Sequence, residues 1–132
     1  MVNQNQLNGK KVELEYELNS TSLTMIWDAI STAPGLESWF ADSVKISNKT
    51  YSFTWGKNES RDADLINCRQ FTYVRFHWLD SLPGTYFEIR ITRNELTQTY
   101  ALEIIDFADG TELDDVRSIW NSAIEELHRK GL

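Results

Sequence analysis

The sequence predicts an α+β fold in which a curved antiparallel sheet wraps around one long C-terminal helix, with two short helices after the first strand. Three observations predict it. Residues 11–18 alternate apolar and acidic side chains; from Asp42 onward, alternating segments are broken by turn signals at short intervals; and from Thr111 a single apolar stripe recurs at helical spacing. A sheet with one apolar face needs a cover, and only the terminal segment is long enough to supply it.

The elements follow in order. In KVELEYEL, Val12, Leu14, Tyr16 and Leu18 fall on one face and Glu13, Glu15 and Glu17 on the other, the pattern of a strand with one wet side. Asn19, Ser20, Thr21 and Ser22 offer N-cap oxygens to a helix carrying Leu23, Ile26, Trp27 and Ile30, expected to stop near Ala33 because Pro34 disfavours helical geometry in the residue before it. Pro34 in turn opens a second short helix with Leu36, Trp39 and Phe40 as its apolar face. Asn48-Lys49 then separates Val44 and Ile46 from Tyr51, Phe53 and Trp55, and Gly56-Lys57-Asn58 leads into a long strand ending near Arg69. Val74, Phe76 and Trp78 alternate with Tyr73, Arg75 and His77. Pro83-Gly84 reverses the chain into Phe87, Ile89 and Ile91, and Arg93-Asn94-Glu95 reverses it again into a strand from about Gln98 to Phe107. The terminal helix carries Leu113, Val116, Trp120, Ala123, Ile124 and Leu127 on one stripe, acids at its start and His128, Arg129 and Lys130 at its end, as the helix dipole favours.

Composition bounds the function. A chain of 132 residues fits one domain, 1–132, with residues 1–10 as a polar tail. Its 13 basic and 20 acidic residues give a net charge of −7, which repels phosphate backbones and argues against nucleic acid. No apolar run is long enough to span a bilayer, so membrane insertion is not expected. The single Cys68 cannot form an intramolecular disulfide, and with no secretory h-region at residues 1–11 the expected location is cytoplasmic.

The segment MIWDAISTAPGLESWFADSV, residues 25–44, resembles the N-terminal signature of START-like proteins of the SRPBCC superfamily, particularly homologues of the activator of heat shock protein 90 ATPase. FHW at 76–78 and the final WNSAIEELHRKGL also look like the corresponding parts of that family. The resemblance implies the helix-grip fold from about Lys11 onward and a cavity between grip helix and concave sheet. Lipid carriers, hormone binders, cyclases and co-chaperone domains share this scaffold, so it does not choose among them.

Within that frame the inward set is Val116, Trp120 and Ala123 from the helix with Phe76, Trp78, Phe87 and Ile89 from the sheet, while Trp39, Phe40 and Trp55 close the mouth. These ten residues either enclose an apolar pocket or pack against one another and leave no space. His77 falls on the outward register, and His128 sits where a positive charge suits the helix end. Cys68 reads as a buried, inert thiol. Arg61, Asp62, Asp64, Arg75 and Arg90 read as ion pairs on a solvated face. The acids Asp106, Asp109, Glu112, Asp114 and Asp115 lack the grammar of a calcium loop, and two histidines without well-spaced carboxylates make no metal site. With no P-loop, dinucleotide fingerprint or nucleophile elbow, no cofactor and no catalytic residue is assigned.

Three functions follow in order of preference. The first is non-catalytic binding of a small hydrophobic or lipid-like molecule in the cavity. Second is a protein-interaction or co-chaperone-like module, for which the Glu13, Glu15 and Glu17 ladder could steer a basic partner. An enzyme of the cyclase or hydrolase kind is third, with Tyr51, Tyr100 and Asn67 as its inward polar groups.

Overall fold

The computed structural model describes residues 9–132. Seven strands form one antiparallel sheet: β1 (Lys10–Glu17), β2 (Ser43–Ser47), β3 (Thr50–Trp55), β4 (Glu59–Arg69), β5 (Tyr73–Trp78), β6 (Phe87–Asn94) and β7 (Thr99–Ala108). The helices are α1 (Leu23–Ser31), α2 (Ala33–Glu37) and α3 (Leu113–Arg129). The strand order β1-β7-β6-β5-β4-β3-β2 is a meander except at β1, which pairs with the last strand and leaves α1 and α2 to cross from one edge of the sheet to the other. The expected helix-grip architecture is therefore present. Among the described residues no helix is long and apolar enough to cross a membrane.

Residues 1–8 of the expected tail lie outside the described residues, and Lys10 already belongs to β1, opposite Ala108. Gly9 is required just before it: its φ is +74°, and a Cβ there would stand 2.6 Å from the Ala108 carbonyl carbon. Ser22 caps α1 by accepting from the Met25 amide. Thr32 then ends α1 and starts α2, its hydroxyl donating to the Asp28 carbonyl and accepting from the Gly35 amide. The two helices meet so closely that a Cβ on Gly35 would lie 1.9 Å from the Asp28 oxygen.

Two turns differ from the sequence reading. β6 runs through Asn94, so the reversal falls at residues 95–98, and Pro83-Gly84 sits within a longer connection over residues 79–86. In β4 a bulge between Leu65 and Asn67 shifts the register, and this changes which side chains face the helix. Asn67 now lies opposite Arg75 on the convex side. Cys68 is exposed rather than buried, because residues 66–70 overhang the core.

The core lies between α3, α1 and the concave sheet face, with Ile26, Ile30, Leu36, Phe53, Phe76, Phe87, Ile89, Leu102 and Ile104 all but inaccessible. The convex side holds one buried charge. Glu88, 1% exposed, accepts from Arg75 through Oε1 and from Arg90 through Oε2, while the two guanidinium groups lie 4.4 Å from the ring centres of Tyr86 and Tyr73. These arginines are therefore not the solvated pairs expected from sequence. They share a carboxylate that burial would otherwise penalise heavily.

Candidate functional site

Phe40 is the hub of the interior. Its ring lies 5.1 to 5.9 Å from those of Phe53, Trp120, Phe87, Trp39 and Trp55. Phe76 and Phe87 stack at 5.1 Å, and Trp78 adds to them at 5.0 Å from Phe87. Each such contact contributes about 0.5–1.5 kcal/mol beyond area burial. The middle of the palm is accordingly filled with rings.

An open cleft of about 1010 Å³ remains beside this plug, under the N-terminal half of α3 and between it and the ends of β4, β5 and β7. Seven of the ten expected residues line it: Trp39, Phe40, Trp55, Trp78, Val116, Trp120 and Ala123. The other three do not. Phe76, Phe87 and Ile89 are at most 1% exposed and belong to the packed layer beneath, where the Phe40 ring that lines the cleft stacks on Phe87.

Three of the indoles are fixed by their N–H groups. Trp39 Nε1 donates to the Ala29 carbonyl, Trp55 Nε1 to the Phe40 carbonyl and Trp120 Nε1 to Asp106 Oδ2, each at 2.8 Å. The fourth, Trp78, carries the Arg61 guanidinium 4.0 Å from its ring centre. Arg61 stands opposite Phe53 and so points to the concave side, where it grips Asp80 with two hydrogen bonds of 2.7 and 3.0 Å. That grip lowers the Asp80 carboxyl below the usual range.

Asp106 follows Ile104 on the concave side of β7. Burial raises its carboxyl above the ordinary value, against the opposing effects of the Trp120 and Phe107 N–H donors and of Arg61. Neither Arg61 nor Asp106 was singled out as a site residue in the sequence. Strand parity could have placed both: Arg61 pairs across from an inward phenylalanine, and Asp106 continues the Tyr100, Leu102, Ile104 series.

The exposed side chains of Leu82 and Ile119 rim the entrance. At the start of α3, Asp109 Oδ1 accepts from the Thr111 and Glu112 amides, which explains that acid as a turn former. Tyr51, Tyr100 and Asn67 are not brought together, and none lines the cleft. Tyr51 is buried among core rings, which raises its phenol, and Asn67 faces solvent. His77 Nδ1 lies 2.7 Å from the Thr85 carbonyl on the convex side, and His128 Nε2 lies 2.8 Å from the Glu17 carbonyl, tying α3 to β1. Among the described residues no group of three or more His, Cys, Asp or Glu side chains is placed to hold a metal.

A family model described as a START-like superfamily domain matches residues 7–130. A Bacteroides fragilis protein solved in solution by NMR is 47% identical, over 93% of this chain and 91% of that one, with a TM-score of 0.64. The Aha1 dimer from Colwellia psychrerythraea superimposes with a TM-score of 0.74 at 14% identity, over 89% of this chain and 92% of that one. A protein described as putative, from the dynemicin biosynthetic locus, gives 0.76 at 15% identity, over 90% of this chain but only 46% of its own length. At these last two identities the likeness is one of fold. None of the curated proteins matches the chain significantly.

Proposed function

The chain belongs to the START-like superfamily, whose fold commonly binds ligands, and from that premise we propose that it binds a small, ring-bearing apolar molecule without transforming it. The binding place is the cleft under the N-terminal half of α3. One observation carries this reading: four tryptophans line a cleft of about 1010 Å³ whose deeper side is closed by packed rings. That size stands at the upper end of the range for small-molecule pockets, about 300–1,000 Å³. Flat apolar ligands suit it best, since indole faces reward stacking and each Å² of apolar surface removed from water contributes about 25 cal/mol. A long acyl chain fits less well, because the plug of Phe40, Phe87 and Trp120 stops it from running through the palm. The lone thiol supports a cytoplasmic place of action.

Tryptophan emission is the direct test. Neutral naphthyl and indolyl probes are expected to quench or shift it and to raise the melting temperature, and Ala123→Phe, which projects a ring into the cleft, is expected to abolish both responses while the protein stays folded. A broad set of such probes producing neither response would end the proposal.

A further inference from the structure

We propose that the molecule this cleft selects carries a positive charge, as a protonated amine or quaternary ammonium attached to its apolar body. The inference rests on the binding role proposed above and adds the chemical class of the ligand. The cavity and its aromatic walls make the site, and the distribution of charge around them decides what enters.

Among the described residues seven carboxylates line the cleft against a single guanidinium; Asp80 is paired with that guanidinium and Glu126 with Arg129 beside the cleft, which leaves Glu59, Asp106, Asp109, Glu112 and Asp115 without a basic partner. That guanidinium, on Arg61, is already held by both oxygens of Asp80 through Nε and Nη2 and lies against the Trp78 face, so its charge is balanced before any incoming carboxylate arrives. A fatty acid or other organic anion would leave water for a wall of its own sign. A cation finds two kinds of partner there. Asp106, at the foot of the cleft, accepts one bond from Trp120 Nε1 and one from its neighbour's amide, and an ionised carboxylate has further acceptor positions. The indole faces supply the second partner, since a desolvated cation over tryptophan is attracted by the ring quadrupole. Arg61 over Trp78 shows the protein already using this contact for one of its own cations. Farther out, Glu112 at the N-cap of α3, Asp115 in its first turn and Glu59 across the opening extend the negative potential to the entrance, where it acts on the approach of a ligand and is weakened by salt.

The experiment uses three probes with one body and different heads: 2-(naphthalen-1-yl)ethylammonium, naphthalene-1-acetate and the neutral 2-(naphthalen-1-yl)ethanol, titrated calorimetrically at pH 7 and low salt. The ammonium probe is expected to bind at least about tenfold more tightly than the carboxylate, with the alcohol between them. Raising the salt should narrow the gap, and Asp106→Asn should narrow it further. The double variant Glu112→Gln, Asp115→Asn alters only exposed positions and is expected to reduce the salt dependence, which keeps the charge argument testable should Asp106→Asn fail to fold. Equal affinity of the three probes, or preference for the carboxylate, would overturn the charge assignment and leave the cleft itself in place as the binding site. Binding of none of the three would remove both.

Discussion

The two ends of α3 meet different surroundings. Its C-terminal end is sealed: Ile124, Leu127 and Leu132 are buried, His128 reaches the Glu17 carbonyl, and the Leu132 carbonyl accepts from the Asn19 and Ser20 amides. Its N-terminal end has no buried residue before Trp120; Leu113 and Val116 are half-covered and Ile119 is 66% exposed. One amphipathic stripe thus does two things, closing the core toward its C-terminal end with Ile124 and Leu127 and roofing a cleft with Val116, Trp120 and Ala123. The difference teaches that the apolar pattern of a helix reports the face turned inward but not whether anything fills the space it faces.

Substitutions at the two ends should separate these roles, and the boundary between them is the most sensitive point. Trp120→Ala removes a buried ring that touches Trp39, Phe40 and Phe87 and leaves Asp106 without its indole donor. A loss of about 3–5 kcal/mol in urea unfolding is expected. Leu127→Ala should cost about 2–4 kcal/mol, whereas Val116→Ala, over the cleft, should cost less than about 1 kcal/mol. Equal losses at 127 and 116 would mean that the roof is packed as tightly as the seal. His128→Ala removes one partly exposed bond to β1, and a loss of about 1 kcal/mol with no change in ligand affinity is expected.

The smallest effect concerns pH. Because burial raises the Asp106 carboxyl in the folded state, its contribution to stability is full below the ordinary carboxylate range and is lost as pH rises through the raised value. Asp106→Asn keeps an oxygen for Trp120 Nε1 and escapes that loss, at the cost of the short local bond from the Phe107 amide, which its NH2 cannot accept. Its melting temperature at neutral pH is expected to equal or exceed that of the parent, with the advantage vanishing below about pH 4. A lower melting temperature at neutral pH, persisting into acid, would show that the ionised carboxylate is a net stabiliser of the fold.

Much of this architecture is written in local pattern. The faultless alternation of β1, the Thr32-Ala33-Pro34 break between helices and the turn at Asn48, whose φ is +56°, each followed from residues within one element. What was hidden depends on partners distant in sequence. The bulge at residues 65–67 reverses the side on which Asn67 falls, and no glycine marks it. Glu88 looks like any strand glutamate until Arg75 of the neighbouring strand joins Arg90, two residues along its own strand, on its carboxylate. The seven cleft residues were legible because they are apolar and fall on inward-facing positions, five of them large aromatic rings. Phe76, Phe87 and Ile89 also sit on inward positions, and what separates them from the opening is the layer of rings packed over Phe76 and Phe87, Phe40 and Trp120 among them.

The three tethered indoles bear on how fast a guest could be taken up. Trp39 is tied to α1, Trp55 to the chain leaving α2 and Trp120 to β7, so their rings cannot swing without breaking bonds to three separate parts of the scaffold. A receptacle held in this way has its contours set in advance, and its encounter with a guest should resemble a single collision, with an observed rate rising linearly with guest concentration and no slow adjustment afterwards.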